Sequence, residues 1–268
     1  MAEEEWAGRG IDVDTPSVAR LYDYYLGGKD NFAADRAAAE EILSIAPEVR
    51  VAARENRAFL GRAVRFLAET GIEQFLDIGT GLPTRGNVHE VVHQIAPEAR
   101  VVYVDNDPIV LAHARALLRG ARNEVLVSSG DLRQPEEILK SPEIQEHLDF
   151  SKPVAVLLVA IMHFITKSDD PGRIVATLRD AVPPGSYLVL SHGSRDSRPA
   201  AVNKGVKVYK RANSPLVLRS RQEILELFDG FELVDPGLVW LPEWRPEDCL
   251  PYDDPSQALI MCGVGKKA

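Results

Sequence analysis

From residue 72 onward, short apolar runs alternate with longer amphipathic ones, and no other feature of this 268-residue chain limits its fold so tightly. The runs are EQFLDIG (73–79), RVVYVDND (100–107), NEVLVSSGD (123–131), PVAVLLVAI (153–161) and GSYLVLSH (185–192). Helical patterns fill the intervals at 87–96, 108–119, 134–147 and 170–182. Continuous apolar strands separated by helices belong in a parallel sheet buried on both faces. The expected fold is α/β, with a doubly wound Rossmann-like core.

Residues 1–70 have a different texture and read as wholly helical. Thr15 and Pro16 start a helix through SVARLYDYYL that Gly27 and Gly28 stop. Asp30 or Asn31 can cap a second helix through FAADRAAAEEIL, and a third runs from about Glu48 to Thr70. The chain therefore divides into a helical extension or lid, 1–70, and an α/β domain, 71–268. Beyond the fifth strand, Ser220 and Glu223 form a capping box that opens SRQEILELF. Two further strand candidates, FELVDPGLVWL and QALIMCGVG, flank the Pro-rich LPEWRPEDCLPYDDP.

With 45% hydrophobic and 26% charged residues, this is the composition of one globular unit. A formal charge of -9 argues against a general grip on nucleic acid, which needs a basic surface. The longest apolar run, VAVLLVAIM at 154–162, falls well short of the roughly 20 residues that span a membrane. The opening MAEEEWAGRG is acidic and lacks the order of a secretory signal, so a cytoplasmic location is expected. Cys249 and Cys262 are too few and too far apart for a disulfide framework or a cysteine-zinc site.

One short stretch pulls another way. HEVVH, residues 89–93, has the spacing of a zinc peptidase helix, with His89 and His93 as ligands and Glu90 as base. It sits on the helix after the first strand, where Val88, Val91, Val92 and Ile95 form the apolar stripe. At about 100° per residue, both histidines then point away from the sheet, toward solvent. No third-ligand motif follows, and no metal is expected.

The strand ends carry more. FLDIGTG places Gly79 and Gly81 in the turn after the first strand, where backbone can approach a ligand. Thr84 stands where a dinucleotide fingerprint has its third glycine, which disfavours a nicotinamide-dependent oxidoreductase. Asp77, two places before the first glycine, suits a ligand with a cationic end. The second strand ends in VYVDND, where Asp105 can accept both hydroxyls of an adenosine ribose. The third ends in SSGD, where Asp131 can accept from an adenine amino group while Leu132 packs the ring.

FLDIGTG, VVYVDNDP and SSGDLR resemble the first three motifs of class I S-adenosylmethionine-dependent methyltransferases. PSVARLYDYYLGGKDNFAADR, with the later HFI, VLSH, VYKRANSP and WRP, resembles the actinobacterial S-adenosyl methyltransferase family first catalogued as a domain of unknown function. The resemblance covers nearly the whole chain. It implies a seven-stranded sheet with an antiparallel last strand, and S-adenosylmethionine as cofactor. Carried over by position, it implies that Gly79, Thr80 and Gly81 line the methionine part, Asp105 holds the ribose and Asn106 flanks the adenine. Asp131 and Leu132 would close around the base. The tyrosines Tyr22, Tyr24 and Tyr25, with Gly27, Gly28 and Lys29, are expected to fold over the cofactor edge, Lys29 among the cofactor-binding residues.

Methyl transfer is an in-line displacement, so the protein must align a nucleophile and exclude water. Where the acceptor is a protonated alcohol or amine, a base is needed too. AIMHFI places His163, the catalytic candidate, at the end of the fourth strand, and LVLSHGS places His192 at the end of the fifth. The fourth strand lacks the Asn-Pro-Pro-aromatic turn of enzymes that methylate nucleic-acid bases or protein amides, so a small-molecule acceptor, methylated at oxygen, is expected. Lys204, Lys207, Lys210 and Arg211 around Tyr209 read as a solvated face, with an anionic acceptor as the alternative. Trp240 and Trp244 either wall the acceptor pocket or bury a sheet edge. A protein that binds the cofactor without turnover, as sensor or partner, has the same motifs.

Overall fold

The computed structural model describes residues 12–84, 86–117, 124–197, 208–209, 211–247 and 254–268. Lys204, Lys207, Lys210 and Cys249 lie outside the described residues, as do 1–11 and the end of the 108–119 pattern. Five strands run parallel: β1 (Gln74–Ile78), β2 (Arg100–Asp105), β3 (Val125–Ser129), β4 (Ala155–Val159) and β5 (Tyr187–Gly193). Three strands follow, β6 (Glu232–Leu233), β7 (Val239–Trp240) and β8 (Ile260–Lys266), of which β8 alone runs against the other seven and pairs antiparallel with β5, β6 and β7. The order is β3-β2-β1-β4-β5-β8, and β5 occupies one edge of β8, so β6 and β7 share the other. Eight strands thus fill the seven positions expected. FELVDPGLVWL is split because Pro236 has no N–H for the ladder and Gly237 takes φ +89°, which turns the chain out of the sheet between Leu233 and Val239.

Side chains alternate along each strand, and both faces are buried. Leu76, Ile78, Val102, Val104, Val156 and Leu158 face one core with α6 (Pro135–Lys140), α7 (Pro142–His147) and α8 (Pro171–Asp180). Phe75, Val101, Tyr103, Ala155 and Leu157 face the other, with α3 (Val49–Glu69) and α4 (Val88–Val92). The single helix expected over 134–147 is two, because Pro142 removes a helical donor and holds Ser141 at ψ 121°. Further α-helices among the described residues are α1 (Val18–Leu26), α2 (Ala33–Ile45), α5 (Pro108–Leu117) and α9 (Arg221–Leu225), the last opened by the expected Ser220–Glu223 box.

The first two helices pack on each other around Leu21, Tyr25, Ala39 and Ile42, while α3 lays Phe59, Leu60, Ala63, Val64 and Leu67 on the sheet. The cap of α2 comes from Asp35, not from Asp30 or Asn31: its Oδ2 accepts the Phe32 N–H at 2.8 Å. The same carboxylate accepts the Ser17 N–H at 2.9 Å and pairs with Arg20 Nε at 2.6 Å, with both side chains at 4% exposure or less. One buried acid therefore ties the start of α1 to the start of α2. Asn31 instead donates to Asp23 Oδ2, which also accepts the Asp30 N–H.

Candidate active site

The parallel strands end beneath α1, α2 and α3, and the space between is a cavity of about 310 Å³. Its floor begins at the β1 turn. Gly79 takes φ +75°, and a Cβ there would meet Ile161 Cγ1 at 2.5 Å, so only glycine fits. Gly81, at φ +67°, donates its N–H to Asp105 Oδ2 at 2.9 Å. Asp105 Oδ1 accepts the Asp107 N–H, so one carboxylate welds the first two strand ends together. Burial pushes its pKa up. Asp77, buried below the turn and bonded by Thr80 Oγ1 at 3.1 Å, is pushed up to about 7, chiefly by desolvation. At the third strand end, Asn106 donates to Asp131 Oδ2 at 3.3 Å, and Arg133 pairs with Asp131, whose pKa that bond lowers.

Gly79, Thr80, Gly81, Asp105, Asn106, Asp131 and Leu132 all line this cavity, and Asp77 lines it with them. Lys29 does not. The turn after α1 folds inward on Asp23, which takes the Asp30 and Asn31 donors and lies so close to Gly28 that a Cβ there would sit 1.9 Å from Oδ1. That leaves Lys29 exposed on the outer side.

The far end of the cavity is assembled differently. Tyr22, Tyr25, Phe164 and Tyr209 line it, with Ile42 and Val49. Tyr25 and Tyr209 meet hydroxyl to hydroxyl at 3.2 Å. A buried chain of bonds crosses beneath: the Ala160 N–H donates to Ser191 Oγ, Ser191 Oγ donates to Asn56 Oδ1 at 2.6 Å, and Asn56 Nδ2 donates to the Tyr22 hydroxyl at 2.9 Å. It links α1, α3 and β5, and it holds Ala160 at φ +57°, a left-handed conformation that costs a non-glycine residue about 1 kcal/mol or more.

His163 lines this end and His192 does not, being fully buried below it. Arg219, also buried, donates to the Met162 and Ile165 carbonyls at 2.9 and 2.8 Å and to His192 Nε2 at 2.7 Å. With Nε2 accepting, the His192 proton is on Nδ1, which donates to the Gly193 carbonyl. His163 has the opposite arrangement. Its Nδ1 accepts the Gly193 N–H at 3.2 Å, so its proton is on Nε2. Burial, with His192 and Arg219 adding to it, holds the His163 pKa well below 6.5. The ring therefore meets the cavity as a neutral hydrogen-bond donor.

The sequence profile of a family described as S-adenosyl methyltransferase matches residues 4–268. The chain belongs to the S-adenosyl methyltransferase family. Its cofactor is S-adenosylmethionine, and it is a methyltransferase. The fold is shared at close range with a candidate methyltransferase from Thermobifida fusca, 44% identical, with a TM-score of 0.91 over 98% of this chain and 99% of that one. A DUF574 family protein from Streptomyces avermitilis is 40% identical, with a TM-score of 0.92 over 96% and 99%. The N-methyltransferase NodS of Bradyrhizobium japonicum, bound to S-adenosylhomocysteine, is 11% identical at a TM-score of 0.51 over 87% and 97%, and shares the fold alone. No curated protein matches the chain.

The cavity of this methyltransferase suits its cofactor: a glycine turn with no room for a Cβ at Gly79, acids at three successive strand ends, and a cavity-lining arginine, Arg57, whose buried Nε has no partner among the described residues. Other motifs belong to the scaffold. His89 Nδ1 bonds the Tyr103 hydroxyl at 2.8 Å and His93 Nε2 donates to the Ala99 carbonyl at 2.9 Å, so both rings are half-buried rather than turned to solvent. The helix ends at Val92, which leaves Ile95, the last position of the expected stripe, 38% exposed. Among the described residues no three His, Cys, Asp or Glu side chains form a metal-holding group, and no helix is long and apolar enough to cross a membrane. Trp244 is fully buried, edge-on to Phe59 at 5.4 Å, and neither it nor Trp240 lines the cavity.

Proposed function

We propose that this methyltransferase transfers its methyl group to an oxygen of an uncharged, largely apolar small molecule. The observation that carries the reading is the far end of the cavity, where tyrosine, phenylalanine and aliphatic side chains gather around the His163 Nε2–H, with the small polar side chains Ser194, Ser197 and Ser214 on the same lining. In the cofactor end, Gly79, Thr80 and Gly81 take the methionine part, with Asp77 against its ammonium. Asp105 takes the ribose hydroxyls, and Asn106, Asp131 and Leu132 enclose the adenine.

S-adenosylmethionine supplies a methyl group whose sulfur leaves with the bonding electron pair, so no electrophile need be built by the protein. The chain's own groups orient and shield. The Asn56 chain and the Tyr25–Tyr209 contact hold the roof closed against water. The acceptor hydroxyl gives its proton to solvent before it is enclosed, since the His163 Nδ1 is committed to Gly193, and His163, neutral and donating, steadies the negative charge left on the oxygen, which then takes the methyl group as the sulfur leaves. Acidic hydroxyls, phenols and enols, match such a site better than aliphatic alcohols.

The test is transfer of radiolabelled methyl to a panel of phenols, enols, aliphatic alcohols, amines and carboxylic acids. Label should enter phenols or enols. Label entering only amines or carboxylates contradicts the reading, and silence across a broad panel contradicts turnover itself. In an active pair, His163→Ala should lower kcat about 10²-fold, the usual effect of removing one donor to a developing oxyanion.

A further inference from the structure

We propose that Arg57 reads the carboxylate of the cofactor's methionine moiety, and so makes the site prefer S-adenosylmethionine and S-adenosylhomocysteine over nucleosides that lack the amino-acid tail. The inference rests on the cofactor placement above and adds a residue that none of the glycine or acid motifs contains.

Arg57 sits on α3, one residue after Asn56, and lines the cavity together with the β1 turn. Arginine and lysine side chains facing a cavity are normally paired, since a guanidinium has five donors to satisfy. Arg133, the other cation on this wall among the described residues, is paired with Asp131. Arg57 is not: among the described residues it makes no ion pair, and its one hydrogen bond is a long 3.5 Å contact from Nη2 to Asn87 Oδ1. Its Nε is buried without a partner. A buried donor left unmade is destabilising, and a ligand that accepts from it relieves that cost.

The neighbours narrow the ligand. Arg57 is close enough to Asp77 to favour its ionised form, yet the two do not touch. A cation and an anion held apart on one cavity wall suit a zwitterion, the ammonium to Asp77 and the carboxylate to Arg57. The other anionic groups lining this end, Asp105, Asp107 and Asp131, would repel a carboxylate, so Arg57 is where one can rest. A planar guanidinium also binds a carboxylate through two parallel bonds, which fixes orientation and not just charge.

The experiment is calorimetric titration of wild type, Arg57→Met and Arg57→Lys with S-adenosylhomocysteine and with 5′-methylthioadenosine, which keeps the adenosine and thioether but has no amino-acid tail. Arg57→Met should weaken S-adenosylhomocysteine about 30-fold, and leave 5′-methylthioadenosine within about twofold. Arg57→Lys should recover part of the loss, since charge is kept and the paired geometry is not. Equal weakening of both ligands would make Arg57 a structural residue and overturn the inference, as would unchanged affinity for both. If Arg57→Met does not fold, the Lys variant with the same two ligands decides. Wild type that binds neither nucleoside would sink the cofactor placement, and this inference with it, before any variant is made.

Discussion

The two ends of the cavity are built on opposite plans. At the end proposed for the cofactor, most of the wall comes from strand ends and the turns that follow them, with Arg57 added from α3, and Asp105 binds the first two turns together through the Gly81 and Asp107 N–H groups. At the far end, the wall is made of single residues drawn from α1, α2, α3 and the turns after β4 and β5, with Tyr209, Ser214, Leu216 and Leu218. The first plan uses backbone N–H groups and the carboxylates of Asp77 and Asp105, all within a few residues of the strand ends. The second uses side chains, each with a partner far away along the chain, and so it can change its ligand without disturbing the sheet.

The sharpest way to separate the ends is to unfasten the roof. Asp35→Ala leaves Arg20 buried without its partner and uncaps α2, and should cost about 3–5 kcal/mol in denaturant unfolding. An unchanged midpoint would mean the roof is not held as described. Next in size, Asp105→Ala should weaken S-adenosylhomocysteine about 100-fold by calorimetry, through two lost hydroxyl bonds and a looser turn. Asp105→Asn, which keeps shape, should lose less. Comparable losses from Tyr25→Phe would erase the distinction between the ends.

A smaller effect follows from Asp77. Thr80 bonds it, Arg57 faces it as a cation and Asp105 as an anion, and burial brings its pKa to about 7. Below that pH the free protein holds this acid protonated, whereas the ammonium of the cofactor needs the carboxylate. Binding therefore releases a proton, and affinity should fall about tenfold from pH 8 to pH 6. Asp77→Asn should flatten that slope. Smallest of all, His163→Gln keeps a donor and should hold kcat within about threefold of wild type, while nitrogen-15 spectra of the wild-type ring should show the Nε2–H form from pH 5.5 to 8.5. Titration near pH 7 would return His163 to the role of base.

The same contrast decides what could be read in advance. The strands, the glycine turn and the acids were legible because each signal lies within a few consecutive residues. The breaks at Pro142 and Pro236 were legible too, but the apolar pattern around them was stronger than the proline inside it. Asp35 as cap needed the three-residue spacing from Phe32, which a hydrophobic cap position hides. Lys29 was expected at the cofactor as part of the helical lid, but it is exposed and does not line the cavity. Asn56 and Arg219 were not legible as site residues, since Asn56 meets Ser191 across 135 positions and Arg219 meets Met162 across 57. One clue was present: Asn56 interrupts the otherwise apolar face Ala52, Ala53, Phe59, Leu60 and Ala63 of a long helix. A polar residue on such a face must have a buried partner.

The most direct test of this account is calorimetric titration of the purified protein with S-adenosylmethionine and S-adenosylhomocysteine, with NAD as control. The account predicts one site, affinity of both sulfur nucleosides in the micromolar range (Kd about 1–100 μM,), and no heat from NAD. Absence of binding by both, or binding of NAD in their place, would contradict it.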